Sequence, residues 1–408
     1  MYENIISQEA CVLLENDMRI AALPGALLFS GPVASGKLSC ALESARILSC
    51  TADIPGNWNC SCPQCLKSKS LVSHNMLLAG PRDCTLEIAA ALAAFEKAHE
   101  ARASSETATR YLFLRSVRKL TNRFSPVLWQ DDDKLAKIAA VISDIDELME
   151  IIDFPRELPE LKKLFETCEK IAALCQKLEA TFLYDSIPIK HIRNISSWAH
   201  IKSAEGKKTV ILENAERMNE SARNALLKIL EEPPEDVVFI LTTARRSAVM
   251  PTILSRVRTY NFRQRTREEQ RDVVRRIFRN EQYDGSISEY METFLPVQPN
   301  SVREAASNFF SDIAHGKIPD VAHTVMLCGK FDVRLELRIF LDGIARAQKK
   351  LLASAAGAEA SALCMDAVRQ CWNDVTIYNQ SPAGALENLT RTLSKINKLN
   401  GAVFSVAV

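Results

Sequence analysis

The chain has 408 residues with a net charge of +1, 47% of them hydrophobic and 25% charged, proportions that exclude intrinsic disorder and leave room for two or three domains with cores of their own. A near-neutral balance rules out a global field for nucleic acid, so any such contact must come from local basic patches or from partner subunits. No apolar run approaches the ~20 residues needed to cross a bilayer, and the opening Met1-Tyr-Glu-Asn-Ile-Ile6 lacks the basic and apolar regions of a signal segment; the expected setting is cytoplasmic, with no membrane partner.

In chain order, the short apolar run 26–30 predicts a buried strand, and residues 38–50 predict the helix that follows it. Between them lies Gly31-Pro-Val-Ala-Ser-Gly36-Lys37-Leu38-Ser39, most of a phosphate-binding loop. Gly31 and Gly36 let backbone N–H groups curl around phosphate oxygens, Lys37 adds a point charge, and the helix offers its positive N-terminal end. The residue after the lysine is where magnesium chemistry needs a hydroxyl, and Leu38 has none. Ser39 does not replace it, because one step along a helix turns a side chain by about 100°.

Twelve cysteines are present. Eight are scattered through helix-like segments and read as free, buried thiols of a reducing compartment. Cys50, Cys60, Cys62 and Cys65 form a separate cluster, with the paired short spacing from which four-thiolate zinc knuckles are built; free thiols are the plainer alternative.

From about residue 83 to 185 the pattern changes to long helical stretches (86–101, 134–152 and 161–183) without a single glycine, which reads as an inserted helical subdomain. Within it Arg115, Arg118, Lys119 and Arg123 recur at helical spacing opposite Phe113, Val117, Leu120 and Phe124. Such a basic face suits phosphates or an acidic partner, although a solvated charged face is the commoner outcome. Two further strands follow, 209–213 and 237–243, separated by a helix over 220–232 with Asn219 as N-cap and Pro233-Pro234 as its stop. Thr242 and Thr243 end the last strand, and ligands gather at such carboxyl ends in open α/β sheets. The order strand, helix, strand, helix, strand indicates a parallel sheet. Beyond about residue 263 the chain reads as helical to its end, in two small domains.

The motif order resembles the bacterial clamp-loader ATPase subunits of DNA polymerase III, of the gamma/tau and delta-prime types. The resemblance rests on Ile5-Ile-Ser-Gln8, on the approach Leu23-Pro-Gly-Ala-Leu-Leu-Phe-Ser-Gly31, and on Ile187-Pro-Ile-Lys-His-Ile-Arg193. Asn224-Ala-Leu-Leu-Lys-Ile-Leu-Glu-Glu-Pro-Pro234 and Pro251-Thr-Ile-Leu-Ser-Arg256 complete it. It covers about residues 1–82 and 187–265, and nothing in it matches the insertion.

The resemblance implies an α/β AAA+ P-loop domain over 1–263, carrying the helical insertion (83–185) and the zinc knuckle (50–65). A small helical lid (264–318) and an all-α C-terminal collar (319–408) would follow. It implies a degenerate nucleotide site of Gly31, Gly36, Lys37, Leu38, Glu213, Asn214, Thr243 and Arg303. Glu213 stands at the family's magnesium-binding Asp, Asn214 at its water-polarising Glu, and Arg303 at its second sensor arginine, where ordinary helix-surface charge is an equal alternative. Intrinsic ATP hydrolysis is therefore not expected, and ATP is expected to bind weakly or not at all. Arg256 falls in the family's Ser-Arg-Cys signature, with Val257 for the cysteine, and would act as an arginine finger on a neighbouring subunit's nucleotide. Cys50, Cys62 and Cys65 fall in the family's zinc register, whereas Cys60 is displaced by one position. The implied function is that of a delta-prime-like subunit of the DNA polymerase III holoenzyme. Gamma/tau and delta type subunits would be its partners, and it would help load the sliding clamp onto primed DNA. A gamma/tau-type motor and a non-catalytic scaffold are the alternatives.

Overall fold

The computed structural model describes residues 1–81, 84–203, 205–329, 336–376, 378, 380–401 and 403–404, so the expected start of the insertion at residue 83 lies outside the described residues. In chain order the elements are α1 (Glu9–Arg19), β1 (Ala26–Ser30), α2 (Lys37–Ser49), α3 (Pro63–Lys69), β2 (Met76–Ala79), α4 (Thr85–Glu100), α5 (Glu106–Thr121), α6 (Leu135–Ile152) and α7 (Leu161–Phe182). They continue with α8 (Ile189–Ala199), β3 (Lys208–Leu212), α9 (Glu220–Glu231), β4 (Val237–Thr243), α10 (Pro251–Leu254), β5 (Arg258–Asn261), α11 (Arg267–Phe278) and α12 (Ile287–Glu292). The last five are α13 (Pro299–Ala314), α14 (Val321–Leu327), α15 (Glu336–Ala347), α16 (Ala355–Thr376) and α17 (Pro382–Leu399). Two compact units divide the chain, 1–291 and 292–408.

The first unit is built on five parallel strands in the order β2-β3-β4-β1-β5, bearing out an α/β fold class of a parallel sheet with helical additions. Strands β1, β3 and β4 are buried at every residue, as strands covered on both faces must be. One face packs on α2 and α1 through Leu27, Phe29, Leu38 and Leu42. The opposite face packs on α9 and the helices α4 to α7 through Leu28, Val210, Leu226, Phe113 and Leu178.

Two strands escaped the periodicity reading. In β2, Met-Leu-Leu-Ala is too short to tell from a turn of buried helix. In β5 only Tyr260 is buried, because it is an edge strand without an apolar run. The reading of α9 holds: Asn219 Oδ1 accepts the Ala222 N–H at 2.8 Å, and the helix stops at Glu231 ahead of the two prolines.

In the second unit α13 packs along α15, with Phe309 edge-on to Phe340 at 5.4 Å. Asn397 of α17 donates to the Ile313 carbonyl at the end of α13, at 2.5 Å. No described helix is long and apolar enough to cross a membrane.

Candidate functional site

The glycine loop leaves β1 and enters α2. Gly36 sits at φ +93°, and a Cβ there would come 2.8 Å from Arg265 Nη2; at Gly31 a Cβ would fall 2.2 Å from the Phe262 carbonyl. The loop therefore needs glycine at both points, to take a left-handed turn and to lie against residues 262–265. Arg265, nearly buried, ties it down by donating to the carbonyls of Ala34 (2.6 Å) and Ile6 (3.1 Å). Gln8 braces the same corner with a reciprocal pair of 3.0 Å bonds to the backbone of Arg263. Lys37 Nζ donates to the loop's own Gly31 and Pro32 carbonyls at 2.6 Å each. Leu38 points away into the apolar cluster with Phe29, Leu42 and Phe262.

At the carboxyl end of the sheet, Thr243 is buried, accepts the Gly31 N–H on its carbonyl (3.2 Å) and accepts the Arg245 N–H on its hydroxyl (3.1 Å). At the end of the adjacent strand β3, the Glu213 N–H donates to Ala79 O at 2.8 Å. Its carboxylate accepts from the guanidinium of Arg123, and both side chains are buried. Asn214 takes a left-handed φ of 55°, which asparagine tolerates better than most residues. Its Nδ2 donates to Pro81 O at 3.1 Å and its N–H to Thr242 Oγ1 at 3.4 Å. An amide held in this way has no basic lone pair to offer an attacking water.

Arg123 enters from a tight turn, Asn122–Phe124, at the end of α5. It also donates to the Lys119 carbonyl, and its own carbonyl accepts from Trp129 Nε1 at 3.0 Å. Tyr184 lies alongside, accepting the Gly80 N–H at 3.2 Å, and burial pushes its phenol up to about 12. His191 meets Trp129 and Tyr184 edge-on at 4.9 and 5.0 Å, and burial lowers its imidazole to about 4.

The basic face expected on this helix is consumed inside the fold. Arg115 donates to Lys69 O, Arg118 to Ser70 O and to Asp153, and Lys119 to Glu87. Helical spacing placed these residues on one side, but it carried no sign that the side faces the knuckle and the sheet. Arg265 left no signal either, as one arginine in a basic stretch.

The cysteine cluster is brought together in full. Cys50 caps the end of α2, Cys62 the start of α3, and the four Sγ atoms lie within 4.8 Å of one another. Cys50 Sγ is 3.8 Å from that of Cys60 and 3.9 Å from that of Cys62. A tetrahedron of sulfurs with Zn–S bonds of about 2.3 Å has edges of about 3.8 Å, so the donor set fits zinc, and the one-residue displacement of Cys60 does not remove it from the group. Burial pushes the Cys62 thiol up, but hydrogen bonds from Thr51 and Cys65 outweigh it and lower the thiol to about 6. Behind the cluster Arg46 of α2 is almost fully buried. It donates to Cys65 Sγ (3.2 Å), to the carbonyls of Asn57 and Gly56 (3.1 Å each), and through two bonds (3.0 and 2.6 Å) to Glu43. The remaining eight cysteines are buried, and none is in a disulfide.

Arg256 follows α10, half-buried at the surface. It donates to the Glu231 carboxylate (2.8 Å through Nε), to Thr252 O (2.7 Å) and to Ser255 Oγ (3.3 Å). Exposed pairs of this kind are worth only about 0–1 kcal/mol, so the guanidinium is easily released to a stronger anion. Arg303 belongs to the second unit, where it pairs with Glu292 and reaches Asn300 Oδ1 at 3.4 Å.

Residues 158–266 match the family model described as "DNA polymerase III, delta subunit". The DNA polymerase III subunit delta' of Pseudomonas aeruginosa is 55% identical over 51 residues, 12% of this chain and 16% of that protein. The subunit delta' of Bacillus subtilis is 32% identical over 99 residues, 24% and 28% of the two chains. The subunit gamma/tau of Mycobacterium tuberculosis is 38% identical over 74 residues, 18% and 12% respectively. The chain thus spans less than a third of the length of each of these relatives.

Proposed function

Taking as premise that the chain carries clamp-loader sequence of the DNA polymerase III kind at residues 158–266, we propose that it is a delta-prime-like loader subunit. It packs beside gamma/tau and delta type subunits and helps place the sliding clamp on primed DNA. Its own nucleotide site is degenerate. Arg256 acts in trans, its guanidinium stabilising charge on the phosphoryl group transferred in a neighbouring subunit, a role worth 10³–10⁵ in rate in other phosphoryl-transfer enzymes. The lid and collar reading of 264–318 and 319–408 and the assignment of Arg303 to the site belong to the same proposal. The observation that carries it is Leu38, which is built into the core at the position where a hydroxyl would hold magnesium. A zinc ion at Cys50, Cys60, Cys62 and Cys65 would be structural, since all four positions of its tetrahedron are filled by protein.

The test is reconstitution of the chain with gamma-type and delta-type subunits, with assembly read by gel filtration and ATPase by phosphate release. Arg256→Ala should leave assembly intact and lower turnover at least about tenfold; unchanged turnover in an assembled complex removes the assignment. The gamma/tau relative, matching at 38% identity, favours a second reading as a hydrolysing motor. Turnover by the isolated wild-type chain at a rate typical of loader ATPases would establish that reading and sink the first.

A further inference from the structure

The corner of the sheet holding Glu213 has a cation of its own. Arg123 reaches it from the helical insertion, is fully buried, and donates to the Glu213 carboxylate, itself only 3% exposed. Resting on the degenerate-site reading, we propose that Arg123 is a fixed substitute for the divalent cation, and that the insertion thereby closes this corner of the nucleotide site to metal ions. Three observations support it.

The first is charge. A guanidinium is protonated at every accessible pH, so its pair with Glu213 satisfies that carboxylate permanently. A magnesium ion bound there would have to compete with an attached charge that pays no association entropy.

The second is space. Magnesium demands an octahedral shell and keeps several waters when held by one or two carboxylates. Around Glu213 the surroundings are protein: a Cβ built on Gly80 would fall 2.7 Å from Glu213 Cβ, and the Gly80 N–H is itself capped by Tyr184. With Leu38 in the core and Asn214 bonded to Pro81, the residues present do not fit the magnesium ion that the family resemblance implies.

The third is fixation. Arg123 is anchored through Lys119 O, through Trp129 Nε1 to its carbonyl, and by the stack of Phe124 on Trp129 at 5.7 Å. The preceding Asn122 donates to Leu71 O at 2.9 Å. The turn that carries the guanidinium is therefore built into the fold rather than resting on it.

The experiment uses the zinc-loaded full chain with Mn²⁺ as the probe, free Mn²⁺ being read by its electron paramagnetic resonance signal. Wild type should show no site at this corner. Arg123→Met should bind Mn²⁺ at least about tenfold tighter than wild type, and adding Glu213→Gln to it should abolish the gain. Mn²⁺ binding by wild type that disappears in Glu213→Gln would overturn the inference, as would an Arg123→Met protein that folds and gains no metal affinity. If Arg123→Met does not fold, the wild-type against Glu213→Gln comparison still decides, and Arg123→Met/Glu213→Met should recover folding, because the unpaired buried charge is gone. ATP turnover by the isolated wild-type chain would sink the degenerate-site reading. Metal binding at Glu213 without turnover would sink only this inference.

Discussion

Replacing Arg46 with methionine separates two roles of one buried side chain. Arg46 is 1% exposed and its partner Glu43 8%, and the two are joined by a pair of bonds at 3.0 and 2.6 Å. Removing the guanidinium leaves the Glu43 carboxylate buried without its cation, which costs about 3–5 kcal/mol in comparable sites. The same guanidinium donates to Cys65 Sγ at 3.2 Å, against a zinc centre whose four thiolates would carry a net charge of about −2. Loss of an outer partner of this kind lowers metal affinity about 10–100-fold. Urea unfolding of the zinc-loaded protein reads the first effect, and competition with a chromophoric chelator reads the second. The double variant Arg46→Met/Glu43→Gln distinguishes them: it should regain most of the lost stability, because no charge is left buried, yet keep the weakened zinc affinity. An Arg46→Met protein within about 1 kcal/mol of wild type, binding zinc as tightly, would refute both the ion-pair and the outer-partner argument.

Cys62→Ser should lose bound zinc, measured as metal per chain after gel filtration; zinc retained at the wild-type ratio would exclude the four-sulfur site. Leu38→Thr should not create a magnesium site, since Glu213 and Asn214 stay engaged, and should cost about 1–3 kcal/mol by burying a hydroxyl in an apolar cluster; Mg²⁺-dependent ATP turnover in that variant would contradict the reading. His191, lowered from 6.5 to about 4 by burial, makes the fold sensitive to acid. As the pH falls below the unfolded value the unfolded chain takes up the proton first, so stability present above about 6.5 declines toward pH 4, by about 3 kcal/mol in all. His191→Phe should flatten that limb of the stability profile, and an unaltered limb would exclude the ring as its source. Asn397→Leu should destabilise the second unit by about 1–3 kcal/mol, because the Ile313 carbonyl at the end of α13 loses its donor; denaturant unfolding monitored on that unit checks it.

The parallel sheet was legible in its three longer buried strands, because such strands must be continuous apolar runs; 26–30, 209–213 and 237–243 announced themselves this way. The edge strands β2 and β5 did not, both being only four residues long and β5 being buried only at Tyr260. The glycine loop and the spacing of the cysteine cluster were legible too, since each is a local requirement: a left-handed turn and a close backbone approach in the first, thiolates within reach of one ion in the second.

What the sequence by itself determined is the local chemistry, such as the missing hydroxyl at Leu38, because it follows from residue type at a fixed spacing after Lys37; the reading of Glu213 and Asn214 is what the family resemblance implies. Only the tertiary structure decided which charges meet. Arg123 lies 90 residues from Glu213, in a segment with no matching motif, and its sequence neighbourhood reads as a solvated basic face. Its place against the sheet depends on how α4 to α7 pack, and packing of that kind joins residues through space, where no periodicity in the chain records it.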